Sequence, residues 1–205
     1  MKVRTEARRS AIVEVATELF KEFGYERASM NELAKRLGGS KATLYGYFPS
    51  KEALFSAVVQ GTATPYLTEA AQNVQVSAES PEALKAALMS FAEKLLSVVL
   101  NDASAMAVYR MVVAEAGRSD VGELFDKFGP RESIATLARW LGAAVDRGYL
   151  RKADPKILAI QFTALAAAET GVRIYQRNPP TVSRPEVRQM AKRAVEMFLA
   201  GASPK

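Results

Sequence analysis

The chain has 205 residues, and 49% of them are hydrophobic, which is enough to bury one or two cores. Its 28 basic and 22 acidic residues give a net charge of +6, a balance that is compatible with a nucleic-acid partner but does not require one. Cysteine and histidine are absent, which excludes disulfides, thiol chemistry, the usual general base and the commonest metal ligand, so we expect no cofactor, no metal and no enzymatic activity.

The distribution of residue types favours helices throughout. Alanine, leucine and charged residues dominate, and alternating runs of β-branched residues between turn signals are lacking. We therefore predict an all-α fold of about nine helices. The first should begin near Thr5, end at Gly24 and bury one apolar stripe. That stripe consists of Ile12, Ala16, Leu19, Phe20 and Phe23.

Two short helices joined by a glycine-containing turn are predicted to follow. Ser29, with Glu32 three residues later, has the pattern of a capping box, and Gly38-Gly39 should end that helix. Ser40 can cap the second helix. This arrangement is a helix-turn-helix, and its second helix can fit the major groove of DNA.

The string LYGYFPSKEAL, residues 44–54, resembles the signature of the TetR/AcrR family of transcriptional regulators, and the resemblance extends over residues 8–60. Further along, YRMVVAEA (Tyr109–Ala116) and DRGYLR (Asp146–Arg151) are similar to the AefR-type C-terminal domain of that family. The resemblance implies a dimeric regulator, most often a repressor, that is released from DNA by a small molecule.

The outer side of the second short helix should carry the DNA contacts, because Leu44 and Phe48 turn inward. Lys41 can meet phosphate or guanine, and Thr43 can meet phosphate or a thymine methyl group. Ala42 offers only apolar contact.

The resemblance implies that four positions contact the DNA backbone. They are Thr43, which is already named above, and Tyr45, Tyr47 and Lys51. Arg8 could reach phosphates or the minor groove, although a solvated terminus is an equal alternative. The glycine at residue 39 departs from the family pattern and should loosen the turn. The glycine at residue 46 also departs from it and leaves the helix with one fewer side chain for reading bases. The candidate DNA-binding residues are Arg8, Ser40, Lys41, Ala42, Thr43, Tyr45, Tyr47 and Lys51.

The domain boundaries follow from these elements. Residues 1–50 are predicted to form the DNA-binding domain, residues 51–74 a connecting helix, and residues 75–205 a ligand-binding and dimerisation domain of five helices. Pro65 should kink the connecting helix, or else end it before a new one begins. Ser80-Pro81 is a typical helix start.

Small residues on the apolar faces of the last two helices predict a close helix-helix contact. Two such helices from each subunit would make a four-helix seam between the subunits of a homodimer. A dimer would also place two reading helices about 34–36 Å apart, in successive major grooves of a near-palindromic operator. The small residues are Ala164, Ala166, Ala167, Ala168, Ala191 and Ala194.

Several large side chains on predicted inward faces could line a cavity for an apolar or aromatic effector, or else simply fill the core. Glu169 is the sharpest case, because a carboxylate on an apolar stripe must find a partner or raise its pKa. Arg173 on the next turn, the other subunit or a ligand could supply that partner. The candidate ligand-binding residues are Phe91, Met106, Tyr109, Trp140 and Phe162, with Glu169 and Arg173 as polar anchors.

The predicted function is thus a dimeric, ligand-released regulator that binds double-stranded operator DNA. The alternative is a helical small-molecule-binding module without DNA-binding activity, and a salt-sensitive shift of upstream DNA would separate the two. The N-terminus lacks the apolar core of a signal peptide, and the longest uncharged run, residues 53–68, is too short to span a bilayer. We therefore expect a cytoplasmic protein without a membrane partner.

Overall fold

The computed structural model describes residues 5–61 and 80–204, and within these ranges all regular structure is helical. The prediction of an all-α fold is confirmed. Packing divides the chain into two compact units: Met1–Ala63 with Ala103–Gly129 form the first, and Thr64–Asp102 with Pro130–Lys205 form the second. The predicted kink at Pro65 lies outside the described residues.

In chain order, the helices are α1 (Glu6–Arg27), α2 (Met30–Arg36), α3 (Lys41–Tyr47), α4 (residues 51–61), α5 (Pro81–Asn101), α6 (Ala103–Glu115), α7 (Val121–Phe128), α8 (Pro130–Asp146), α9 (Pro155–Ala167) and α10 (Arg184–Ala202). A 3₁₀ helix, Ala168–Tyr175, follows α9 directly. Helix α7 was not predicted, because its eight residues include Gly122, are followed by Gly129 and carry too short an apolar pattern.

Side-chain caps start the helices where the sequence predicts them. Ser29 Oγ accepts a hydrogen bond from the backbone N–H of Glu32 at 3.1 Å, but the Glu32 carboxylate turns to Arg36 at 3.5 Å, so only half of the predicted capping box forms. A complete capping box joins Ser183 and Glu186 at the start of α10. The other capping side chains are Thr5, Ser40, Ser50, Ser80 and Asp154.

Three aromatic rings form the centre of the first unit. Phe55 on α4 lies 5.6 Å from Phe20 and 5.0 Å from Tyr25, both edge-on, and all three are buried. Helices α6 and α7 belong to the same core, to which they contribute buried apolar residues. Those residues are Val108, Met111, Val112 and Val121.

Burial, reinforced by the nearby carboxylates of Glu52, Glu26 and Asp120, raises the pKa of Tyr25 to about 12 from 10.0. Because the folded-state pKa is the higher one, the stability that depends on the protonated phenol is fully present below pH 10. It is lost as pH rises from about 10 towards 12, by roughly 2–3 kcal/mol.

We therefore expect the free energy of unfolding, measured with urea, to fall more steeply between pH 9 and about 11.5 in the wild type than in Tyr25→Phe. The variant keeps the ring in its aromatic cluster and removes the phenol. Equal slopes for the two proteins would contradict the assignment of this titration to Tyr25.

The second unit is built from α5, α8, α9, α10 and the 3₁₀ helix. Phe162 on α9 is fully buried and lies 6.0 Å from Phe91 and 5.0 Å from Phe198, ring centre to ring centre. Trp140 on α8 stands edge-on to Phe91 at 6.1 Å. These rings fill the centre of the unit, with α9 packed against both α8 and α10.

One side of α9 and of the 3₁₀ helix remains apolar and exposed. By length and composition alone, Pro155–Tyr175 could cross a membrane: its mean hydropathy reaches 1.3 over a window of which one third is buried. Ala166, Ala191 and Ala194, three of the small residues predicted for a dimer seam, instead pack inside the unit. The large exposed apolar residues of this surface are Ile157, Ile160, Val172 and Tyr175, with Met197 on α10.

Candidate nucleic-acid interface

The turn between α2 and α3 is closed by its own backbone. Gly38 has a φ of +60°, its N–H donates to the carbonyl of Lys35 at 3.0 Å, and the N–H of Gly39 donates to the carbonyl of Ala34 at 3.1 Å. This pair of bonds is a Schellman motif, which satisfies the last carbonyls of α2 and turns the chain sharply. The glycine at residue 39, expected to loosen the turn, donates one of the bonds that close it.

Arg8 of α1 braces the same turn. Its guanidinium donates to the carbonyl of Leu37 at 3.2 Å and lies 3.4 Å from the point where a Cβ at Gly39 would stand. A Cβ at residue 39 would therefore be in ordinary van der Waals contact with the guanidinium of Arg8. The structure assigns this arginine a role in holding the turn, and its predicted contact with DNA stays a prediction.

Helix α3 presents the predicted reading side to solvent. Leu44 and Phe48 are buried, as their spacing predicts, and the side chains of Lys41, Ala42 and Thr43 are exposed. Tyr45 is 46% exposed, so part of its ring is accessible to another surface.

The two hydroxyl groups at the start of α3, those of Ser40 and Thr43, contact each other. Ser40 Oγ accepts from the backbone N–H of Thr43 at 3.1 Å and lies 2.9 Å from Thr43 Oγ1. Tyr47 Oη at the other end accepts from the backbone N–H of Thr5 at 3.2 Å, which ties α3 to the start of α1. The hydrogen bond between Thr5 and Tyr47 helps to hold α3 against the start of α1.

Lys51 is held by α1. Its ammonium donates to the carbonyls of Tyr25 and Glu26 at 3.0 and 3.3 Å and lies 4.4 Å from the centre of the Tyr25 ring. Two of its three N–H groups are thus used within the protein. The sequence could not reveal this anchoring role, because residues 25 and 51 are brought together only by the packing of α4 on α1.

The seven candidate ligand-binding residues are divided between the two units. Met106 and Tyr109 lie on α6 in the first unit, where Tyr109 is 42% exposed and packs on Phe125. Phe91 and Phe162 are buried in the aromatic centre of the second unit, and Trp140 is half-buried at its edge. The other two, Glu169 and Arg173, lie on the 3₁₀ helix.

Glu169 is exposed, and its partner is Arg193 of α10, which donates to both carboxylate oxygens at 2.9 and 2.6 Å. None of the three partners left open by the sequence, Arg173, the other subunit or a ligand, is the one observed, since Arg193 belongs to the same chain. The hydrogen bonds from Arg193 lower the pKa of Glu169. The physical reason is the change to 3₁₀ winding at Ala168, which breaks the 3.6-residue period from which an inward carboxylate was predicted.

Arg173 is buried, but it supports the backbone. Its guanidinium donates to the carbonyls of Leu100 at 2.8 Å and Pro180 at 2.5 Å. Asn101 exchanges two hydrogen bonds of 2.9 Å with the backbone of Val182 close by. Together they hold the loop before α10 against the end of α5.

These features define the class: a helix-turn-helix protein with a braced turn and a second helix whose outer side faces solvent. Known proteins agree with this description. Residues 12–58 match the family model described as bacterial regulatory proteins, tetR family, and residues 86–201 match the AefR-like transcriptional repressor, C-terminal domain. The chain belongs to the TetR family of bacterial transcriptional regulators.

Relatives and solved structures support the same family. The HTH-type transcriptional activator FasR of Mycolicibacterium smegmatis is 34% identical over 84 residues, which are 41% of this chain and 38% of FasR. A TetR-family regulator structure from Mesorhizobium loti superposes with a TM-score of 0.78 at 25% identity, covering 99% of this chain and 100% of the other. The flavonoid-responsive regulator FrrA superposes with a TM-score of 0.73 at 29% identity, covering 98% and 100%. The chain spans only about a quarter to two fifths of the length of curated relatives such as FasR.

Proposed function

We propose that this regulator is a repressor that binds a near-palindromic operator as a homodimer and leaves it when an apolar or aromatic effector binds. The observation that supports DNA reading is the solvent-facing side of α3, with Lys41, Ala42, Thr43 and Tyr45 exposed around the buried Leu44. A short helix of this kind enters the major groove and meets base edges with its outer side chains.

The dimer is supported by the exposed apolar side of α9. Ile157, Ile160 and Ala164 follow one another at i, i+3 and i+7, so they form a single stripe on that helix. A cleft of about 450 Å³ adjoins it, lined by Ala164 and Leu165 of α9 and by Met197 of α10. Exposed apolar side chains grouped on one face in this way are typical of protein–protein contact surfaces, and a second copy of the chain would cover them.

Release by an effector rests on linkage. A ligand that binds better to a conformation in which the two reading helices are wrongly spaced must weaken DNA binding. The size of the effect is set by the ratio of the ligand's affinities for the two conformations. The half-buried Trp140, edge-on to Phe91, is a candidate contact for an aromatic effector. FrrA is flavonoid-responsive, which supports an effector of that chemical class. FasR is an activator, which is the opposite sign of regulation to the one proposed here.

Lys41→Ala tests the DNA-reading function on DNA fragments from upstream of the gene. If Lys41 meets phosphate, operator affinity and non-specific affinity should fall together, and the salt slope should flatten by about two units for a dimer. If it meets guanine, about 1–3 kcal/mol of discrimination at one base pair of each half-site should be lost instead.

Lys85→Ala is the matched control, because it removes the same charge from an exposed position of α5. It should leave affinity, salt slope and base preference unchanged. A wild-type protein that gives no salt-sensitive shift with any upstream fragment would favour the alternative, a small-molecule-binding module without DNA-binding activity.

A further inference from the structure

Helix α1 is interrupted three residues before its end. Gly24 has φ +78° and ψ 168°, a conformation that is open essentially to glycine alone. A new turn begins there, since the N–H of Ala28 donates to the carbonyl of Gly24 at 3.2 Å. Gly24 therefore stands at the N-cap position of this turn, and it has no side chain with which to cap it.

The missing cap is supplied by α6. The Glu115 carboxylate accepts a hydrogen bond from the backbone N–H of Glu26 at 3.2 Å, the donor that an N-cap side chain ordinarily satisfies. Its other oxygen occupies the space beside Gly24 where a Cβ would stand, 1.8 Å from that point. Glycine at residue 24 and glutamate at residue 115 are thus fitted to each other.

The same peptide units are held from the opposite side by α4. Lys51 donates to the carbonyls of Tyr25 and Glu26, while Glu115 accepts from the N–H of Glu26. The turn at residues 24–28 leads directly into Ser29, the N-cap of α2. The last residue of α6 therefore fixes the backbone from which the helix-turn-helix begins.

We propose that Glu115 is a positioning residue for DNA recognition. It acts as an N-cap supplied by another helix of the same chain, and it sets the orientation of α2 and α3. It would do so without touching DNA. This inference rests on the proposed function, because it specifies how the reading side of α3 is held in place.

The test compares Glu115→Ala, Glu115→Gln and wild type for affinity to the operator and to random DNA. Glu115→Ala should bind the operator about 10-fold more weakly, while its affinity for random DNA, which depends on charge and not on fit, stays within about twofold. Glu115→Gln should restore operator affinity to within about twofold, since its amide oxygen can accept the Glu26 N–H.

Glu123→Ala is the matched control, because it removes the same charge from an exposed position of α7. It should bind the operator at least as tightly as wild type. Stoichiometric titration of each variant gives the active fraction, so a variant that is merely less stable loses active fraction and shows an unchanged dissociation constant.

Three results would overturn the proposal: operator binding by Glu115→Ala equal to that of Glu123→Ala, equal losses on operator and random DNA, or no rescue by Glu115→Gln. Each of these requires a wild-type protein that recognises its operator. Failure of the wild type itself to prefer any upstream sequence would instead reject the proposed function.

Discussion

Gly24→Ala should lower the free energy of unfolding by about 2–4 kcal/mol. Forcing a Cβ into this backbone conformation costs roughly 1–3 kcal/mol. The Cβ would also displace the Glu115 carboxylate, so the hydrogen bond from the Glu26 N–H, worth about 1 kcal/mol, is lost as well. Urea unfolding followed by circular dichroism measures the sum.

A matched glycine and a double-mutant cycle test the cause. A Cβ at Gly117, between α6 and α7, would have nothing within 4 Å, so Gly117→Ala should be neutral or stabilise by up to about 1 kcal/mol. Adding Glu115→Ala to Gly24→Ala should cost little more, because the first substitution has already broken the same bond. Full additivity of the two losses would contradict a direct fit between Gly24 and Glu115.

Met197→Glu should weaken operator binding by a factor of about 10²–10⁴. Met197 of α10 is 65% exposed and lines the cleft, on the surface that we propose contacts the second subunit. A carboxylate there must be desolvated when the subunits meet, which opposes association. Once the dimer is lost, each reading helix binds alone and the gain from bivalent binding disappears.

Sedimentation and operator titration of the same samples decide this prediction. Ala86→Glu, an equal change of charge at an exposed position of α5, should remain dimeric and bind as the wild type does. A Met197→Glu protein that still sediments as a dimer would place the subunit interface elsewhere. A monomer that retained full operator affinity would reject the bivalent mechanism.

Local chemistry made most of the fold predictable. Ser29, Ser40 and Ser80 cap the helices that the sequence assigns to them, because each cap lies within three residues of the N–H group that it binds. The prediction that Leu44 and Phe48 turn inward is confirmed for the same reason, since residues four apart lie on one side of a helix. The outer side of α3 follows directly from those two positions.

Contacts between distant residues were not predictable. Lys51 reaches the end of α1, Arg8 reaches the turn after α2, and Glu115 reaches Glu26 across 89 positions of sequence. No periodicity or propensity encodes such pairs, since they depend on how helices pack. The grouping of α6 and α7 with the first unit was missed on the same ground.

Because the chain contains no cysteine, a single introduced thiol can be labelled alone, and its reactivity shows directly whether α3 lies against DNA. Ala42→Cys places a thiol on the exposed side of α3, and Ala86→Cys places one on α5. Operator DNA should slow alkylation by maleimide at least about 10-fold for Ala42→Cys and leave Ala86→Cys unchanged, since a helix in the major groove is shielded from reagent. Equal alkylation rates of Ala42→Cys with and without saturating operator would contradict the account that α3 reads DNA.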